Sequence, residues 1–141
     1  MTPLPITPGA YIKLRRCAAG LSVADVAARL PTDPATAEHL RVEQLELIEA
    51  DAQPMTLSTI MALRAIYPFD VQVLARLEAL AQRQDLPEPC LCRLCGSWRA
   101  GNQGDPIQEL CHACFQADPP ERLDAYVASI RPAYLDAPGA A

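Results

Sequence analysis

Apolar residues recur every three or four positions over most of the first 83 residues, and prolines and glycines cut the recurrence into five stretches. That interval lines one face of a helix, whereas a strand would alternate. Thr7-Pro8 caps and opens a first helix through Tyr11, Ile12, Leu14 and Arg15, ending near Gly20. Ser22 is the N-cap of a second, with Val23, Val26, Ala27 and Leu30 at helical spacing before Pro31. Residues 31–36 form a loop. A third helix over about 37–50 sets Arg41, Leu45 and Ile48 on one side, and Pro54 closes the turn after it. Thr56 or Ser58 starts a fourth through Ile60, Leu63 and Ile66, which Pro68 stops. Asp70 caps a fifth, whose Val73, Leu74, Leu77 and Leu80 make one stripe. The pattern predicts a mainly α chain.

Beyond residue 84 the pattern changes. Residues 85–89, Asp-Leu-Pro-Glu-Pro, read as a linker, because prolines two apart favour extended chain. Five of the six cysteines follow between positions 90 and 114. The expected organisation is a helical domain over 1–84, a metal-binding module over 90–132 and a tail over 133–141.

Cys92-x2-Cys95 and Cys111-x2-Cys114 stand 15 residues apart, the spacing of structural zinc sites. Zinc takes four soft ligands in a tetrahedron, and a C-x2-C turn aims two sulfurs at one ion. Gly96 suits the knuckle turn after the first pair, and Asn102-Gln103-Gly104-Asp105 suits a short hairpin between the pairs. A helix from about Glu121 to Ile130 follows the second pair. The module resembles a treble-clef or zinc-ribbon finger over about 40 residues. Cys90 is an alternative to Cys92 as ligand or a free thiol, and His112, beside Cys111, is expected to point away from the metal. An iron–sulfur cluster takes the same ligands. Four thiolates close the shell, so the site reads as a structural clamp. Trp98 and Arg99 belong to the finger's core or to a recognition tip. Cys17, alone on the first helix, reads as a small buried residue.

Composition narrows the class. The chain has 141 residues, enough for one ordinary domain or two small ones. No run of about 18 apolar residues occurs, which excludes a membrane-spanning helix. The first residues lack the basic-then-apolar order of a signal peptide, so a cytoplasmic location is expected. The formal charge of −5 rules out a polybasic nucleic-acid binder, so any DNA contact needs a local basic face. Lys13, Arg15 and Arg16 form the one basic cluster of residues 1–83. No nucleophile–base grouping, phosphate loop or carboxylate pair stands at a convincing spacing, and no enzyme is expected.

The run from Leu14-Arg15-Arg16 through Ala19-Gly20-Leu21-Ser22-Val23-Ala24-Asp25-Val26-Ala27 resembles the first two helices of the Cro/C1-type (XRE) helix-turn-helix family. Ile48-Glu49-Ala50-Asp51-Ala52-Gln53-Pro54, with Leu57-Ser58-Thr59-Ile60 after it, is similar to the family's passage from recognition helix to fourth helix. The resemblance covers about residues 8–83. It implies a five-helix helix-turn-helix domain, an ion pair between Arg15 or Arg16 and Glu49, and a DNA-binding transcriptional regulator, dimeric where paired half-sites are read. Arg41 and Gln44 would then meet base edges and Arg15 or Arg16 a phosphate. This chain departs from the family in a longer link between helices two and three, with Pro31 and Pro34. Its third helix also carries Glu43, Glu46 and Glu49. Leu40 and Leu47 lie opposite Leu45 and Ile48, where they suit thymine methyls or a protein partner. The alternative function is therefore a non-enzymatic protein-interaction adaptor.

Overall fold

The computed structural model describes residues 5–31 and 36–97 together with Cys111 and Cys114. The chain divides into two compact units, one of Thr7–Pro89 and one containing the cysteines from Cys90 onward. The first unit consists of α1 (Pro8–Ala18), α2 (Val23–Arg29), α3 (Glu38–Glu49), α4 (Leu57–Ile66) and α5 (Val71–Ala81). No strand forms among the described residues, and none of their helices is long and apolar enough to cross a membrane. The expected hairpin, the helix over 121–130, Trp98, Arg99 and His112 lie outside the described residues.

Side chains at the helix starts satisfy backbone donors that no helical carbonyl reaches. Thr7 Oγ1 accepts from Ala10 N at 3.1 Å, with Pro8 in the first turn. Ser22 and Asp25 form a reciprocal capping box, whose hydrogen bonds hold the Asp25 carboxyl below its usual range. Between the two candidates for the fourth cap, Thr56 is the one used, accepting from Thr59 N at 3.2 Å. Asp70 Oδ1 accepts from Gln72 N and Val73 N. Ala37 gives α3 no side-chain cap, so its start rests on packing.

α1 packs against α3 and α5, and α2 against α3 and α4. Ile12 of α1, Val26 and Ala27 of α2, and Leu63 of α4 have no exposed surface. Leu45 and Ile48 bring α3 into this core, and Val73, Leu74 and Leu77 bring α5. Tyr67 and Phe69 flank Pro68 and are buried too, Phe69 meeting the Tyr11 ring edge-on at 6.5 Å. The Tyr11 hydroxyl accepts from Asp70 N at 2.9 Å, so one tyrosine joins α1 to the cap of α5.

Two polar links tie α1 to the end of α3. The Arg16 guanidinium grips Glu49 with both arms, at 2.6 and 3.0 Å, and gives a third donor to Leu21 O at 2.8 Å. Both side chains are about nine-tenths buried, at 10% and 8% exposure. Of the two arginines that suited this pair, Arg16 makes it. Asp51, left-handed at φ +57°, accepts from Gly9 N at 2.8 Å. A Cβ on Gly9 would lie 2.4 Å from Ile48 O and 2.8 Å from Glu49 O, so the α1–α3 approach requires glycine there.

Cys17 corrects one expectation, because it is exposed. The inward face of α1 is set by Gly9, Ile12 and Arg16, and Cys17 falls one position past it.

Removing one half of a buried ion pair strands the other, at a cost of about 3–5 kcal/mol. Glu49→Ala in the full chain should lower stability by about that amount, whereas the exposed Gln82→Ala should leave it within about 0.5 kcal/mol. Urea unfolding followed by helical circular dichroism measures both. Equal midpoints for the two variants would show that the pair is dispensable.

Candidate functional site

In the second unit the sulfurs of Cys92, Cys95, Cys111 and Cys114 all lie within 4.8 Å of one another, and none forms a disulfide. The local sequence explains how the first pair reaches this position. Gly96 turns left-handed at φ +70°, and its N–H returns to Cys92 O at 2.8 Å. Cys92 N then donates to Ser97 O at 2.9 Å, closing a knuckle around the two sulfurs. Cys92 and Cys114 are buried and Cys95 and Cys111 half-buried. Cys114 N donates to Cys111 Sγ at 3.4 Å, and Cys95 Sγ stands 3.6 Å from Cys111 Sγ.

The electrostatics show what these four groups lack. The Cys92 thiol donates to Cys95, which with Ser97 brings the Cys95 pKa down to about 4, against the opposing effect of burial. Sharing with Cys95, and then burial, push Cys92 up. Burial opposes ionisation of Cys111 as well, but the Ser97 hydroxyl and the Cys114 N–H outweigh it and lower that thiol. Cys114 is pushed up to about 11, first by burial and then by its neighbours. Each C-x2-C pair thus holds one readily ionised sulfur and one that stays protonated. Four adjacent thiolates repel unless a cation supplies countercharge, and a bound dication deprotonates its thiols outright. The residues fit a metal ion of tetrahedral, thiolate-loving chemistry. Cys90, two residues before Cys92, is outside the cluster.

The residues proposed for DNA are distributed differently from the expected outward stripe. Arg16 spends its guanidinium on Glu49 and Leu21 inside the unit. Arg15 Nε donates to Pro68 O at 3.1 Å. Arg41 is half-buried beside the core side of α3, and its Nη1 donates to Leu30 O at 2.9 Å at the end of α2. Its Nε is buried without a hydrogen-bond partner among the described residues. Gln44 is exposed. Leu40 and Leu47, two turns apart on α3, are exposed at 47% and 41%. With Glu43 and Gln44 they occupy positions i, i+3, i+4 and i+7, which form one helix face.

Two residues that matter here carry only a weak sequence signal. Ser97 follows Gly96, and its place just past a C-x2-C-Gly knuckle was its one mark. Asp51 stands directly after the Ala50 cap of α3, where a short polar side chain tolerates a left-handed backbone.

Comparison with family models, with curated proteins and with solved structures finds no match to this chain.

The cluster predicts one metal ion per chain, with affinity that falls as pH falls because protons compete for the thiolates. Titration of the metal-free full chain at stepwise lower pH should show progressive weakening, and a flat profile would exclude thiolate ligation. Chelation should unfold the cysteine unit, which is too small for a core of its own, while most helical dichroism of Thr7–Pro89 persists. Loss of all helix on chelation would show one cooperative structure.

Proposed function

We propose that the chain is a non-enzymatic regulatory adaptor. It is built on a helix-turn-helix scaffold of the Cro/C1 type, carries a structural zinc clamp, and binds a protein partner through the outer face of α3. The observation that carries this reading is the composition of that face. It presents exposed Leu40 and Leu47 with Glu43 and Gln44 between them, while Arg16 and Arg41 are engaged inside the unit. Each leucine gains up to about 1.5–3 kcal/mol on full burial, and a partner helix with an apolar stripe supplies it. Glu43 and Glu46 repel phosphate and attract lysine or arginine, so the fitting partner segment is an amphipathic helix with a basic border. Zinc is the metal this reading assigns, because a closed four-thiolate shell offers no open position for catalysis. Free thiols beside such a site suit a reducing, cytoplasmic setting.

Duplex DNA is the second reading. Gln44 favours it, being exposed on α3 and able to reach adenine, and so does the Arg16–Glu49 pair, which the resemblance to that family implies. In this reading Arg41 must leave Leu30 O to meet a base, and a homodimer would read paired half-sites.

The two readings separate in one pair of selections on the zinc-loaded full chain. From a displayed peptide library we expect enrichment of sequences with apolar residues at i, i+3 or i+4, and i+7, flanked by Lys or Arg. Leu47→Asp should abolish that binding and Arg41→Ala should change it less than threefold, a difference of about 0.7 kcal/mol or less. From a random duplex pool at low salt we expect no enriched motif. A duplex motif whose affinity falls steeply with salt, lost on Arg41→Ala and kept on Leu47→Asp, would replace the adaptor with a DNA-binding regulator. Elemental analysis showing iron and sulfide in place of zinc would overturn the metal assignment.

A further inference from the structure

The Ser97 hydroxyl lies 3.0 Å from Cys95 Sγ, within the same knuckle that fixes the Ser97 carbonyl on Cys92 N at 2.9 Å. Gly96, left-handed at +70°, folds the chain back so that one residue touches both cysteines of the first pair. In a fully protonated cluster either the thiol or the hydroxyl can supply the hydrogen of the Cys95–Ser97 contact. Metal ligation removes that freedom. A metal-bound Cys95 is a thiolate with no proton, so the hydroxyl is left as the donor.

We infer that Ser97 is a positioning residue of the metal centre, whose hydroxyl donates to the Cys95 thiolate, orients it toward the ion and draws off part of its charge. Two consequences follow from the chemistry of an O–H···S⁻ bond. The thiolate held by it is a poorer base, so protons compete for it less well, and dissociation of the Cys95–metal bond is slower. The backbone grip on Cys92 N keeps the hydroxyl in place without help from a distant element. Outer-shell donors of this kind typically change metal affinity 10–100-fold. The inference rests on metal binding by the four cysteines, and the experiment separates the two claims.

The test compares the full chain with Ser97→Ala and Ser97→Thr. Zinc transfer to a chromogenic chelator is followed in time, and the thiolate-to-cobalt charge-transfer band is recorded after loading with Co²⁺. Ser97→Ala should release zinc at least about 10-fold faster. Its cobalt band should move to longer wavelength, because a thiolate relieved of its hydrogen bond gives up an electron more easily. Ser97→Thr, which keeps the hydroxyl, should restore both values toward those of the parent. A parent that binds neither Zn²⁺ nor Co²⁺ would remove the metal centre and this role with it. A metal-binding parent whose release rate and cobalt band are matched by Ser97→Ala would leave the centre standing and overturn the role of Ser97. Faster release in both variants with an unmoved cobalt band would assign Ser97 to the backbone turn instead.

Discussion

The Arg16–Glu49 pair is the interaction on which the arrangement of the helical unit depends. Two opposite charges about nine-tenths withdrawn from water are stable there only because they meet in bidentate geometry. The third arm of Arg16 also holds Leu21 O, so the same guanidinium fixes the chain between α1 and α2. The pair sets the end of α3 against α1, and the Asp51–Gly9 bond closes the same junction from the other side. With that end fixed, Leu45 and Ile48 turn into the core, and Leu40, Glu43, Gln44 and Leu47 must turn out. The surface offered to a partner is thus a consequence of a buried charge pair, and the charge is spent in making it.

The cysteine unit rests on a different kind of constraint. Its four sulfurs sit within 4.8 Å, closer than four thiolates tolerate without a cation. Hydrogen bonding within each pair already favours one ionised sulfur, so the cluster is partway to the charge state that a metal completes. Few apolar side chains accompany it, Leu91 among them, and for a unit of this kind ligation replaces the core.

Much of this was legible in the sequence, for identifiable reasons. Caps and breakers are local chemistry, and Thr7, Ser22, Asp70 and Pro68 mark helix ends whatever the rest of the chain does. Cysteine spacing is equally local, and Cys92, Cys95, Cys111 and Cys114 come together as the ligand chemistry requires. The misreadings arose where direction, not identity, decides. Cys17 is one residue off the inward face of α1, a difference that periodicity alone does not resolve. Arg41 stood in register with Leu45 and Ile48, which already placed it toward the core. Reading it as a base contact weighed its chemistry above its register. Tyr67, Phe69 and Gly9 were invisible for another reason, since their burial and close approach depend on partners far along the chain.

Because the outer face of α3 follows from the packing, the account is tested most directly by watching that helix while it is offered nucleic acid. Amide spectra of the isotope-labelled, zinc-loaded full chain would be recorded during titration with random-sequence duplex at low salt, then with a synthetic amphipathic helix bearing leucines and flanking lysines. The account predicts that amides of Glu38–Glu49 stay in place with duplex and shift saturably with the peptide. Shifts along α3 with duplex that shrink as salt rises, and none with the peptide, would contradict it.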